Sequence, residues 1–308
     1  MKNDIYIIGT GAVGKTLAVF LKLANKNVFL VRGSVDDESS RVEKIQIVVN
    51  DETEVEAEIE VRTLSSFSRL DGIVVLTNKS FGNRNLSQSL KDKTGDSPIV
   101  FLQNGLGIEQ PFIDQNFTEI YRCVLFVTSQ IVSENRISFK PVSVSPVGIV
   151  KGNQSNLTRV VGNLNNSAFP FKAEIDIQSV IWKKAIINSV FNSICPLLEV
   201  DNGVFHREEK VLEIAKRVIE ECVMIAREKG IFLENNEVVE TLLLISKSSD
   251  GQLISTFQDI INKRQTEIET LNFAIADIAE KLNRENLVKE TKLLGELTKL
   301  KSDLNNKK

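Results

Sequence analysis

The run Gly9-Thr10-Gly11-Ala12-Val13-Gly14 constrains this chain most. It follows the short apolar stretch Ile5-Tyr6-Ile7-Ile8 and opens a helical pattern over 12–25, with Val13, Leu17, Phe20, Leu21 and Ala24 on its apolar face. A GxGxxG spelling alone is weak, but a strand before it and an amphipathic helix after it are the context in which it holds a dinucleotide. Gly9 permits the tight turn, Gly11 lets a pyrophosphate approach the backbone, and Gly14 lets the helix pack close to the strand. The helix N-terminus offers N–H groups and a partial positive charge to the phosphates.

The next strand, Asn27 to Val31, ends on Arg32. A site for a free ribose 2′-hydroxyl usually carries an acidic residue here, whereas an arginine clamps a phosphate. NADP(H) is therefore favoured over NAD(H), while Asp36 and Asp37, a few residues on, keep NAD(H) open. Residues 43–62 alternate apolar and polar about Asn50-Asp51 and predict a hairpin. Ile73–Leu76 and Ile99–Leu102 predict two buried strands, and further short strands are expected at 122–128, 136–140 and 142–150. Lys79 and Asn104 follow the carboxyl ends of two of these strands, where open α/β sheets bind ligands.

From about residue 174 the period becomes helical: 176–200, 208–230, 236–247, 251–282 and 286–304. The predicted fold is an α/β, Rossmann-type doubly wound N-terminal domain over 1–173, followed by an all-α C-terminal domain over 174–308. Leu293, Leu297, Leu300 and Leu304 are too few heptads for a long coiled coil and predict a packed terminal helix. Trp182 is expected in the core and His206 on a loop or helix surface.

With 38 basic and 41 acidic residues the net charge is −3, which speaks against a broad grip on nucleic acid or an anionic membrane. No run approaches the roughly 18 apolar residues of a membrane span. Three scattered cysteines, with no CxxC pair, fit a reducing compartment, so a cytoplasmic location is expected. One histidine excludes a multi-histidine metal site.

In the segment 182–192, WKKAIINSVFN, Lys184, Asn188 and Asn192 stand at i, i+4 and i+8 among apolar neighbours. Asparagine is a poor mid-helix residue, so two beside a lysine imply a polar pocket; the plainer reading is a solvated stripe. Ser255, Asp259 and Glu267 fall within roughly a 120° arc if 253–282 is one helix.

GTGAVG at 9–14, VR at 31–32, TNK at 77–79, QNGLG at 103–107, WKKAIINSVFN at 182–192, DNG at 201–203, and STFQD with TEIETLN at 255–272 together resemble the ketopantoate reductase (2-dehydropantoate 2-reductase) family, in its order and spacing. The resemblance implies a Rossmann domain, a helical domain, an active site in the cleft between them, and NADPH-dependent reduction of a branched 2-oxo acid, foremost ketopantoate to pantoate in pantothenate and coenzyme A biosynthesis. It implies that Gly9, Thr10, Gly11, Ala12, Val13, Gly14, Arg32 and Lys79 hold NADPH. Asn104 would lie near nicotinamide and substrate, and Glu267 near the reacting carbon, against cofactor or substrate. Lys184 would be the general acid, and Asn188, Asn192, Asn202, Ser255 and Asp259 would form the substrate pocket. No metal is needed. A lysine of ordinary pKa, about 10.4, is protonated at neutral pH and can both stabilise and protonate a developing alkoxide.

The chain departs from the family at Ser193, where proline is usual, at 126–130, and at 282–286, which bears on which 2-oxo acid it takes. Two alternatives stay open: a related Rossmann dehydrogenase of another small 2-oxo or 2-hydroxy acid, and a non-catalytic dinucleotide sensor. The helical domain offers a surface for a homodimer, though no single stretch establishes one.

Overall fold

The computed structural model describes residues 4–33 and 39–307; Asp36 and Asp37 lie outside the described residues. The chain divides into two compact units, the first running to Ile177 without Asn104–Gly107, the second comprising Asn104–Gly107 and Gln178 onward. Two details differ from a boundary at 173/174. Glu174 stays with the first unit because its N–H bonds Val147 O. The loop Asn104–Gly107 groups with the second because Leu106 N–H donates to Thr270 O at 2.8 Å.

The first unit contains β1 (Asp4–Ile8), α1 (Ala12–Leu23), β2 (Val28–Arg32), β3 (Ser40–Val49), β4 (Thr53–Thr63), β5 (Gly72–Leu76), α2 (Asn83–Thr94), β6 (Ile99–Phe101), α3 (Gln110–Asp114), β7 (Ile120–Cys123), β8 (Val127–Ser133), β9 (Arg136–Pro141), β10 (Ser145–Lys151), α4 (Gln154–Leu164) and β11 (Phe171–Ala173). The sheet order is β11-β10-β7-β6-β5-β1-β2-β4-β3-β9-β8. Its six central strands, β4 to β7 through β1, are mutually parallel. Strand order reverses between β1 and β5, the switch point at which doubly wound sheets bind ligands.

From Ile5 to Ile8 β1 is apolar because both its faces are covered. Ile5 and Ile7 join a core cluster with Leu17, Phe20 and Leu21 of α1 and with Leu157 and Val160 of α4. Tyr6 and Ile8 join the opposite cluster with Leu86 and Leu90 of α2 and Phe112 of α3. β3 and β4 form the predicted hairpin, register Val49 to Thr53, closed by Asn50 and Asp51 at φ 51° and 62°. Two positive-φ residues match the right-handed twist of the strands, which is why the turn takes Asn-Asp. The predicted strand at 122–128 is two strands, β7 and β8, with a break at 124–126.

The second unit comprises most of α5 (Ile177–Leu198), then α6 (Val204–Arg207), α7 (Glu209–Glu228), α8 (Asn235–Ser248), α9 (Ser255–Ile261), α10 (Asn272–Lys281) and α11 (Lys289–Asn306). The helix predicted over 251–282 is broken. α9 ends at Ile261 with Asn262 as its C-cap, Lys263 turns to φ 53°, and the chain re-forms as a 3-10 turn at Ile268–Thr270 before α10. Ser255 and Asp259 therefore share a helix while Glu267 is the residue preceding that 3-10 turn, so the single 120° arc does not exist.

α11 is packed, but its leucines face outward. The buried side carries Thr291, Gly295, Thr298 and Ser302, whereas Leu293, Leu297, Leu300 and Leu304 are 53%, 42%, 56% and 59% exposed. Trp182 is buried. His206 lies on α6, where its ring reaches Ser246. No helix of the described residues is long and apolar enough to cross a membrane.

Candidate active site

In the first unit the candidate cofactor residues gather at the carboxyl ends of β2, β1 and β5. Gly9 leaves β1 at φ 122°, and a Cβ there would sit 2.5 Å from Asn78 N and 2.6 Å from Thr77 Oγ1. A Cβ on Gly14 would stand 2.0 Å from Gly9 O. Close packing of the turn, against the loop after β5 at Gly9 and against Gly9 O at Gly14, thus accounts for both glycines. It does not account for Gly11, where a Cβ would meet nothing within 4 Å. Gly11 is the exposed N-cap of α1, with no side-chain cap and no acidic residue in the first turn. A glycine demanded by nothing among the described residues, at an uncapped helix start with Thr10, Ala12 and Val13 around it, fits a phosphate group arriving there.

Arg32 ends β2, with its guanidinium hydrogen-bonded to Ser39 Oγ. Lys79 is exposed, two residues past Thr77, beyond the end of β5. Two further groups set these loops. Thr77 Oγ1 donates to Gly9 O at 3.0 Å, while the main-chain N–H groups of Thr77 and Asn78 donate to Ile8 O. Gln103 Nε2 donates to Asn78 O at 2.8 Å and is paired with the buried Asn83 amide. Thr77 and Gln103 stand inside the motifs TNK and QNGLG; that was the signal available for them.

The same turn also spells GxxxxGK[ST], with Lys15 and Thr16, the pattern of a mononucleotide phosphate loop. The structure assigns both side chains elsewhere. Lys15, 8% exposed, pairs with Glu43 of β3 at 2.9 Å and donates to Glu134 O and Asn135 Oδ1 at 3.2 Å. Thr16 Oγ1 lies 3.0 Å from Ser129 Oγ of β8. These residues fasten α1 to the antiparallel extension. Burial alone would raise the Glu43 carboxyl, but Lys15 and Arg41 outweigh it and hold it below the usual range.

In the second unit Lys184, Asn188 and Asn192 line one face of α5, about 6 Å apart along its axis. Lys184 and Asn188 are partly exposed and Asn192 is buried. The neighbouring Lys183 pairs with Glu237 of α8 at 2.5 Å. Asn192 Oδ1 accepts from Thr256 N–H at 3.2 Å and from Ser255 Oγ at 3.3 Å. It caps α9 from outside and joins Ser255 to the stripe. One turn on, Asp259 is buried and receives Arg264 Nε at 2.9 Å.

Gly105, at φ 104°, brings the Asn104 loop against the turn that begins at Glu267: a Cβ there would stand 2.5 Å from Thr270 Cβ. Asn202, between α5 and α6, is 6% exposed, and its side-chain oxygen has no hydrogen-bond partner among the described residues. At the departure site, Ser193 Oγ donates back to Ser189 O at 2.6 Å inside α5. Cys123, Cys195 and Cys222 are buried thiols, and burial pushes the Cys195 and Cys222 thiols up to about 12. Among the described residues no cluster of three or more His, Cys, Asp or Glu could hold a metal.

A family model described as ketopantoate reductase PanE/ApbA matches residues 5–144, and one described as its C terminal matches 176–301. A curated relative, the 2-dehydropantoate 2-reductase of Pyrococcus horikoshii, is 26% identical over 283 residues, covering 91% of this chain and 92% of the relative. The fold is similar to D-mandelate dehydrogenase in its ternary structure with NADH and anilino(oxo)acetate, at TM-score 0.83 and 22% identity over 98% of this chain and 99% of that one. It is similar also to a dimeric ketopantoate reductase from Staphylococcus aureus, at TM-score 0.82 and 17% identity over 98% and 99% of the two chains.

Proposed function

The chain belongs to the ketopantoate reductase family, and on that premise we propose that it reduces a branched 2-oxo acid, 2-dehydropantoate foremost, to the 2-hydroxy acid with NADPH. The observation that carries this reading is the polar face of α5, with Lys184 and Asn188 in line and Asn192 tied to Ser255 at the start of α9.

When bound, the reduced nicotinamide supplies the hydride; the chain's residues do the rest. Gly11 and the N-terminus of α1 take the pyrophosphate, and Arg32 and Lys79 take the phosphate end. Hydride addition at the ketone carbon would place negative charge on its oxygen. The Lys184 ammonium stabilises that charge and passes its proton to the oxygen, leaving the alcohol. Asn188, Asn192, Ser255 and Asn202 hold the hydroxyl and carboxylate groups without neutralising the lysine, and Asp259 supports them through the α9 face. Asn104 and Glu267 line the reacting end. The buried, unpartnered acceptor of Asn202 favours a 2-oxo acid that carries a hydroxyl of its own. We place the enzyme in the cytoplasm, where its three thiols stay reduced, and pair it with a second copy through α11.

The test follows absorbance of the reduced nicotinamide with a panel of 2-oxo acids and both cofactors. Turnover is expected with 2-dehydropantoate and NADPH. Turnover confined to aryl 2-oxo acids with NADH would replace this reading with a mandelate-type dehydrogenase, and no turnover at all would leave a dinucleotide sensor. Lys184→Ala is expected to lower kcat by about a thousandfold with NADPH affinity unchanged. Arg32→Ala is expected to narrow the preference for NADPH over NADH.

A further inference from the structure

The chain's single histidine takes no part in the chemistry above, yet it is wired to the turn that carries Asn202. Ser246 Oγ, fully buried on α8, lies 2.7 Å from the carbonyl oxygen of Asn202. A carbonyl can only accept, so the hydroxyl proton is committed there. His206 Nδ1 lies 3.1 Å from the same hydroxyl oxygen, and His206 N–H donates to it at 3.3 Å. With the serine proton already used, the ring contact requires the proton on Nδ1 of His206. The other ring nitrogen faces Asp250 Oδ2 at 3.7 Å.

The opposite side of the turn is held as firmly. Asp201 Oδ1 accepts from Gly203 N–H at 2.7 Å and from Arg207 Nη2 at 2.8 Å, and Arg207 also pairs with Asp250. Asn202 N–H donates to Gln252 O at 2.9 Å. Every main-chain group of Asn202 is therefore engaged, while its side-chain oxygen is buried with no partner among the described residues. A buried acceptor without a donor is costly and persists only where the surroundings fix it in place.

We propose that His206 is a positioning residue: through Ser246 it fixes the main chain of Asn202 and so holds the Asn202 side-chain oxygen ready for a hydrogen-bond donor of the substrate. This rests on Asn202 being a substrate contact.

The experiment is steady-state kinetics of the full chain with NADPH and 2-dehydropantoate for Asn202→Ala, His206→Leu, His206→Asn, Ser246→Ala and the Asn202→Ala/His206→Leu double variant. His206→Leu and Ser246→Ala are each expected to raise KM for the 2-oxo acid about fivefold, with kcat and KM for NADPH within twofold of the parent. His206→Asn, whose amide N–H stands where Nδ1 stood, recovers most of the loss. The double variant is no worse than Asn202→Ala alone. A raised KM in Asn202→Ala with an unchanged KM in His206→Leu overturns the positioning role and leaves the reading of Asn202 standing. An unchanged KM in Asn202→Ala removes that reading and the proposal with it. His206→Asn as impaired as His206→Leu also overturns it, because the ring then matters only as packing.

Discussion

Asn192 of α5 closes the start of α9: its side-chain oxygen lies 3.2 Å from the main-chain nitrogen of Thr256, and Ser255 Oγ donates to it at 3.3 Å. One side chain thus joins the helix bearing Lys184 to the helix bearing Ser255 and Asp259. Asn192→Ala is expected to cost about 1 kcal/mol of stability, the worth of a lost cap, and to raise KM for the 2-oxo acid. Asn192→Asp keeps the acceptor and is expected to recover the stability while still binding the anionic substrate poorly. Thermal unfolding beside substrate titration checks both halves.

The three glycines of the first turn separate by what surrounds them. Gly14→Ala places a methyl group 2.0 Å from the main-chain oxygen of Gly9. Backbone cannot yield there cheaply, so a loss of about 2 kcal/mol or more is expected. Gly11→Ala meets nothing within 4 Å and is expected to leave thermal stability nearly unchanged while weakening NADPH about tenfold, the penalty of a methyl group against an incoming phosphate. Calorimetric titration with NADPH and a melting curve for each variant distinguish the two. Equal melting losses in both would assign Gly11 to packing.

Much of this arrangement is legible in the sequence, for reasons that differ by element. β1 and its glycine turn are readable because a strand buried on both faces must be wholly apolar and the turn admits few residues. The β3–β4 hairpin shows as alternation because only one face is covered, with Ile45 and Ile47 inward and Lys44 exposed. α2 is not readable: Leu86 and Leu90 are its only large apolar residues, a helix pinned on a narrow stripe. The break at 262–267 is also hidden, since Lys263 takes a positive φ that lysine does not advertise. Asn192 and Asn188 stand out as asparagines inside an apolar helix, but that Asn192 caps a second helix is a tertiary fact no spacing carries. His206 and Ser246, forty residues apart, had no local pattern to betray them.

Lys15 and Glu43 form a pair with both side chains 10% exposed, linking α1 to β3. Glu43 titrates below its ordinary value of 4.5 in the folded protein. Its contribution to stability is therefore complete above about 4.5 and is lost as pH falls through the lower, folded value. Lys15→Met leaves a largely buried carboxylate with the exposed Arg41 as its remaining ion-pair partner and is expected to destabilise the first unit by about 2 kcal/mol near neutrality. The gap between variant and parent should close as pH falls below about 4.5, because protonation removes the same charge in both. Melting temperatures from pH 7 to pH 3.5 test this, and a pH-independent gap would assign the loss to packing.

α11 turns its small side chains inward and its leucines out. Leu293, Leu297, Leu300 and Leu304 are spaced 4, 3 and 4 residues apart, so they fall within roughly a 60° arc, opposite Thr291, Gly295, Thr298 and Ser302. That is the spacing of an a/d seam, which a second helix of the same kind can cover by knobs-into-holes packing. A stripe made of leucine alone is complementary to itself, as a two-fold interface requires. Leu297→Glu with Leu300→Glu is expected to shift the protein from dimer to monomer, because four charges would be buried at the centre of the pair. Sedimentation of parent and variant at matched concentration measures this. Secondary structure should be retained, since both side chains are solvent-facing within one copy. A monomeric parent would remove the interface, and a variant that stays dimeric would move it off α11.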